Sequence, residues 1–205
     1  MRWKGLTRIA LEGPSLSGKS TLAERLFYDF RASGARCVQL PDFFDTYTPL
    51  DIHIPLDPKN PVEQLLIVTL HIGLEMSRHC EMPNDTEIAI LDRSLWTPLA
   101  HTYALIATGI LADARCLNFH QLIASMDQWL PDLVLYVDTP FEVRMERKDT
   151  RADLPEFHLS RRFSDALREF YSKPWPNLNV HLLNGGTDIG SLKREAWDII
   201  REEWS

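Results

Sequence analysis

The sequence predicts a three-layer α/β fold in which a five-stranded parallel sheet carries helices on both faces. Three observations support this. Short apolar runs alternate with longer helix-like segments along all 205 residues. A glycine-rich turn, GPSLSGKST, joins the first of those runs to the first helix-like segment. Apolar residues make up 44% of the chain, enough to fill a core between layers.

The elements follow in order. RIALE (8–12) reads as a buried strand that ends at the glycine turn. STLAERLFYDFRAS carries Leu22, Leu26, Phe27 and Phe30 at helical spacing, and Gly34 stops it. RCVQL (36–40) is the next strand, and residues 41–61, with five prolines, read as irregular loop. Pro61 opens the helix PVEQLLIVTLHIGLEMSRHC, which is apolar on most sides and so expected to be largely buried. EIAIL (87–91) is a third strand, followed directly by Asp92. TPLAHTYALIAT and NFHQLIASMDQWL read as helices, and LVLYVD (133–138) as the fourth strand. Helical segments follow near 140–150 and 158–172, then a fifth strand, NVHLLN (179–184), and a closing helix near 189–204. Right-handed crossovers between parallel strands bring Gly13, Asp42 and Asp92 to one edge of the sheet, where ligands bind in such folds.

Composition bounds the function. The length suits a single domain, 1–205. A net charge of −7 argues against a broad grip on nucleic acid or an anionic membrane. Cys37, Cys80 and Cys116 are odd in number and far apart, which suits a reducing compartment rather than a disulfide framework. No apolar run approaches a signal core or a membrane span, so the expected location is the cytoplasm. The seven histidines show no metal-ligand spacing.

Gly13-Pro14-Ser15-Leu16-Ser17-Gly18-Lys19-Ser20 fits G-x-x-x-x-G-K-[ST]. Glycines permit the left-handed angles that turn successive N–H groups toward one point, and the following helix aims its positive end there. A strand before and a helix after make this the strongest signal in the chain. The predicted donor site is Gly13, Ser15, Ser17, Gly18, Lys19, Ser20 and Thr21. Lys19 can reach the outer phosphates of a bound nucleotide, and the Ser20 hydroxyl can bind Mg²⁺. Asp92 ends a buried strand, where a carboxylate can hold the Mg²⁺ or its water; the alternative is a turn or capping aspartate. Arg93 follows it and either meets a phosphate or acceptor or pairs with Asp92. Arg144, Arg147, Lys148 and Arg151 stand at i, i+3, i+4 and i+7, on one face of a predicted helix. By themselves they read as a solvated charged face. Beside a phosphate loop they read as cations that neutralise a migrating phosphoryl group.

These pieces, in this order, resemble the thymidylate kinase and deoxynucleoside kinase superfamily of P-loop kinases over nearly the whole chain. ALEGPSLSGKSTLAERL looks like that family's first strand, P-loop and helix, and LDRSLWTPLAHTYALIATG like its D/E-R-S or D-R-Y segment. PDLVLYVDTPFEVRMERKDTR looks like its fourth strand and arginine-rich lid, here about 144–156, and EFHLSRRFSDALREFYSK like the long helix beyond. The resemblance implies ATP and Mg²⁺ as cofactors and often a homodimer. It places Lys19 and Ser20 on ATP and Mg²⁺, Asp92 in the metal network, and Arg93 at the acceptor. Arg144, Arg147 and Arg151 become lid candidates.

Departures from the family bear on the acceptor. Thymidylate kinases usually carry Arg-Glu-Pro after the second strand and an arginine in the following long helix. This chain has Leu40-Pro41-Asp42 at the first place and, by alignment, His71 at the second. Between Cys37 and Ser77 there is no arginine and one lysine, Lys59. Such a wall serves a phosphate poorly and a hydroxyl well, since one carboxylate can take its proton. Nucleoside kinases place a carboxylate just after the second strand, so Asp42 is expected as general base; the alternative is a loop aspartate turning the chain. Phe43, Phe44, His71, Arg93 and Trp96 are the expected acceptor contacts with Asp42. The function read is phosphoryl transfer from ATP to a hydroxyl of a nucleoside. A nucleoside monophosphate kinase, a kinase of a cationic amino sugar, and a nucleotide-dependent switch or ATPase stay open.

Overall fold

A computed structural model describes residues 6–43, 57–112, 122–123, 125–126, 129–150 and 154–204. Five strands form one wholly parallel sheet: β1 (Thr7–Glu12), β2 (Cys37–Leu40), β3 (Ile88–Asp92), β4 (Leu133–Asp138) and β5 (Val180–Asn184), in the order β2-β3-β1-β4-β5. The central register pairs Ile9 with Ile90 and with Leu133. Between the strands run α1 (Lys19–Ala32), α2 (Pro61–Cys80), α3 (Trp96–Ala107), α4 (Phe141–Glu146) and α5 (Arg161–Tyr171), with α6 (Ile189–Glu203) last.

The period of two along the strands sorts their side chains into two cores. Ile9, Leu11, Ile88, Ile90, Leu133 and Leu135 face α1 and α6, packing against Leu22, Leu26, Phe30, Leu192 and Ile200. Ala10, Ala89, Leu91, Val134 and Tyr136 face the other way, against Trp96, Leu99, Phe163 and Phe170 of α3 and α5. Because both faces are covered, the strands need no polar side. β3 is buried at every position, including Asp92.

Helix ends follow local chemistry. Asn60 Oδ1 accepts from Val62 N at 3.0 Å, Pro61 holds the first helical position, and Glu63 receives the Asn60 amide at 2.7 Å. Asp188 accepts from Gly190 N and Ser191 N at the start of α6. At α1 the N-cap is Gly18 in a left-handed conformation (φ 92°), with no side-chain cap.

Two expectations change. α2 is not buried on most sides: Val62, Leu66 and Met76 are exposed, because the helix meets the body along one face only. The segment after β4 is helical only to Glu146 and passes into a 3₁₀ turn at Lys148–Thr150, so Arg144, Arg147 and Lys148 do not share one helix face, and Arg151 lies outside the described residues. The segment NFHQLIASMDQWL lies mostly outside the described residues, and none of the described helices is long and apolar enough to cross a membrane.

Candidate active site

The strand order places the C-terminal ends of β1 and β3 side by side, and the catalytic candidates collect there. After β1 the chain turns through Gly13 (φ 140°), Leu16 (φ 68°) and Gly18. A Cβ on Gly13 would stand 2.8 Å from the Val137 carbonyl oxygen, so this position needs glycine for space as well as for its angle. Three successive carbonyls of the turn are tied from behind. Arg144 Nη1 donates to Ser15 O at 3.1 Å, Arg147 Nη1 to Leu16 O at 3.1 Å, and Thr139 Oγ1 to Ser17 O at 2.9 Å. Fixing these carbonyls outward turns the next amides inward, toward the uncapped start of α1. Ser17 Oγ is buried there with no hydrogen-bond partner among the described residues.

Lys19 is buried at the head of α1. Burial and the nearby Arg93 push its pKa down to about 8, against the pull of Asp92, Asp42 and Glu12. Asp92 Oδ1 is also buried without a hydrogen-bond partner among the described residues, whereas Ser20 opens to solvent one residue beyond Lys19. An orphaned carboxylate oxygen and a free hydroxyl are hard oxygen donors of the kind Mg²⁺ takes in small number, leaving its other positions to water and phosphate.

Arg93 has a left-handed backbone (φ 74°), unusual for a residue with a long side chain. Its Nε donates to Asp42 Oδ2 at 2.7 Å, so it pairs across to β2 rather than with the adjacent Asp92. Despite its burial, the surrounding Asp42, Glu12 and Asp92 raise its pKa, and it stays charged. Glu12 receives Ser94 N, Ser94 Oγ and Thr97 Oγ1, tying the end of β1 to the segment after β3, and burial raises its pKa.

On the acceptor side, Phe43 packs edge-on against His71 at 4.6 Å. His71 Nδ1 bonds the Ile67 carbonyl at 2.8 Å, and burial pushes its pKa down to about 4. The ring is therefore neutral at pH 7, with Nδ1 the donor and Nε2 an acceptor. Phe44 and Arg151 lie outside the described residues. Two expected roles change. Trp96 is 1% exposed and lies in the core near Phe170, too deep to form an acceptor wall. Arg144 is fully buried, held by Ser15 O and Ser164 Oγ, so it braces the P-loop instead of moving with a lid. Arg147 is partly open and, with Gly18, Thr21, Gly185 and Thr187, lines a pocket of about 320 Å³ beside the loop.

Sequence reasoning missed Glu12, Glu75, Arg78 and Thr139. Glu12 was open to it: a carboxylate ending an apolar strand, with Ser94 and Thr97 in the segment after a neighbouring strand. Glu75, Arg78 and His79 stand at i, i+3 and i+4 on α2, and all three are buried.

The architecture is that of a P-loop phosphoryl-transfer fold. More closely, it is the fold of the thymidylate kinase and deoxynucleoside kinase superfamily. The chain is similar to a deoxyadenosine kinase from M. mycoides solved with bound dATP, at a TM-score of 0.64 and 17% identity over 95% of this chain and all of that one. It is similar also to the thymidylate kinase of Candida albicans, at a TM-score of 0.62 and 19% identity over 99% of this chain and 94% of that one. In sequence it is 24% identical over 195 residues to a "Probable thymidylate kinase" of Metallosphaera sedula, covering 94% of this chain and 91% of that protein. No family model matches.

Proposed function

We propose that this chain transfers the γ-phosphoryl group of ATP to a hydroxyl, that of a nucleoside or deoxynucleoside. The observation that carries the reading is the Asp42–Arg93 pair, set at the ends of adjacent strands within electrostatic reach of Lys19. A carboxylate beside a fixed guanidinium at that place suits proton removal from a hydroxyl. Among the described residues of this wall, the cations Arg78 and Arg93 are already matched to carboxylates, and His71 is neutral. An acceptor bearing its own phosphate dianion would find little there to hold it.

In the transfer, amides of the P-loop and Lys19 hold the β- and γ-phosphates. Ser20 and Asp92 would hold Mg²⁺, which when bound would supply charge neutralisation to these phosphates. The acceptor oxygen forms the new P–O bond, the bond to the β–γ bridging oxygen breaks, and ADP leaves. Asp42 receives the hydroxyl proton, while Arg93 and Arg147 offset charge on the migrating group. Arg147 and the Gly185–Thr187 turn border the space next to the loop that the nucleotide base would take.

ADP release measured over nucleosides, their monophosphates and amino sugars tests this. Nucleosides should turn over fastest. Faster turnover with monophosphates, the reading suggested by the Metallosphaera relative, would move the assignment to a nucleoside monophosphate kinase. ATP hydrolysis that no acceptor stimulates would leave a switch or ATPase.

A homodimer is also proposed. On α2, Val62, Leu66, Thr69, Gly73 and Met76 are exposed at alternating spacings of four and three, a self-complementary coiled-coil stripe. Sedimentation should give a dimer, and Leu66→Glu a monomer.

A further inference from the structure

We infer that Arg78 is a positioning residue: it clamps the Asp42 and Arg93 segments in register from behind, without touching either substrate. The inference rests on the catalytic reading of Asp42 just given.

The ladder between β2 and β3 ends where Leu40 meets Leu91. Beyond it Pro41 has no N–H to give, so backbone pairing cannot hold Asp42 to the β3 side. One guanidinium takes over. Arg78 Nη1 donates to Pro41 O, and Nη2 donates to Arg93 O at 3.2 Å and to Glu75 Oε2. Its Cζ lies 4.1 Å from the centre of the Phe43 ring. The residues before and after Asp42 and the backbone of Arg93 are thus all held by one side chain on α2. Because Arg93 sits in a left-handed conformation, its carbonyl points away from the ladder, toward this donor. Its own N–H bonds Leu11 O at 3.1 Å on the other side.

Arg78 is 4% exposed and Glu75 is wholly buried. Glu75 neutralises the guanidinium, and His79 Nε2 lies 3.0 Å from its second oxygen, so the cation is committed to the protein and not to an anionic ligand. Arg78 Nε remains buried without a partner among the described residues. Buried ion pairs are weak contributors to stability compared with apolar residues of similar volume. A planar guanidinium holds the two carbonyls beyond β2 and β3 and a carboxylate at fixed spacing, which the more compact, freely rotating ammonium of a lysine does not. Geometry, then, and not stability, is what this buried pair supplies.

The test is a double-mutant cycle of Arg78→Lys with Asp42→Asn in the full-length enzyme, reading kcat, acceptor KM and MgATP affinity. Arg78→Lys keeps the charge opposite Glu75 and loses the fork. Alone it should lower kcat by about 10²-fold, the cost of a misplacement near 1 Å, with MgATP affinity within about twofold. In the Asp42→Asn background its cost in kcat should be at least about tenfold smaller than alone, because one of the two groups it positions is already gone. Losses that multiply, or an Arg78→Lys enzyme with wild-type kcat, overturn the proposal while leaving the catalytic reading standing. An Asp42→Asn enzyme at wild-type rate overturns that reading, and this one with it. If Arg78→Lys does not fold, Glu75→Gln/Arg78→Met, which neutralises both groups and keeps an acceptor for His79, carries the same cycle. In either variant the Arg93 Nε–H, followed by nitrogen-15 NMR, should exchange with solvent at least about tenfold faster; unchanged exchange overturns the proposal.

Discussion

Replacing Lys19 by Met should make the nucleotide-free protein more stable while abolishing turnover. Burial brings the folded-state pKa of Lys19 from 10.5 to about 8. Above 10.5 the group is neutral in both states and costs nothing. As pH falls from 10.5 to 8 the unfolded chain takes up the proton first, so stability is lost across that window and the full penalty stands below pH 8. From that shift the penalty is about 3 kcal/mol at pH 7 and about 1 kcal/mol at pH 10. Met fills nearly the same volume without the charge and should recover that difference. Urea denaturation of wild type and Lys19→Met, each at pH 7 and pH 10 without nucleotide, reads it directly. The variant should lead by about 3 kcal/mol at pH 7, and the lead should shrink to about 1 kcal/mol at pH 10. Millimolar MgATP should stabilise only the wild type. A variant less stable than wild type at pH 7, or a gap that does not narrow with pH, refutes the claim that this ammonium is held against its own solvation for a phosphate.

The other predictions probe the loop and its supports. Gly13→Ala should cost about 1–3 kcal/mol by chemical denaturation and weaken MgATP binding in calorimetry, since its Cβ meets a backbone carbonyl that cannot swing aside. Arg144→Met should destabilise by about 2–4 kcal/mol, leaving Ser15 O and Ser164 Oγ without their charged donor. Arg147→Ala should destabilise by about 0.5–1.5 kcal/mol through the lost tie to Leu16 O, and raise the KM for ATP by about tenfold, since the side chain also lines the pocket beside the loop.

The sheet was legible because each strand is an apolar run bounded by glycine, proline or aspartate, and parallel pairing follows from the helices between them. The donor loop was legible because glycine, lysine and serine stand close together in sequence. The acceptor wall is assembled from residues far apart in the chain. Asp42 and Arg93 could be named, but not that they would pair, since that depends on β2 lying beside β3. Trp96 was misplaced because an aromatic at a helix start can face core or cleft, and only the packing of α5 against α3 decides which. Arg144 was misread because its charge suggested solvent, whereas Ser15 O and Ser164 Oγ receive its two terminal amino groups in the interior. Arg78 was passed over because the count of cations stopped at Ser77, one residue short.

The three side chains that grip the back of the donor loop, Thr139, Arg144 and Arg147, all come from the nine residues 139–147. That stretch has a fixed span to cover, so deleting or inserting even one residue in it would throw every anchor out of step together. Downstream of Arg147 the next described tie to the loop is a looser one, His158 Nδ1 at 3.5 Å from Ser15 Oγ, so variation in length and tailoring toward different donors are expected to concentrate between those two anchors.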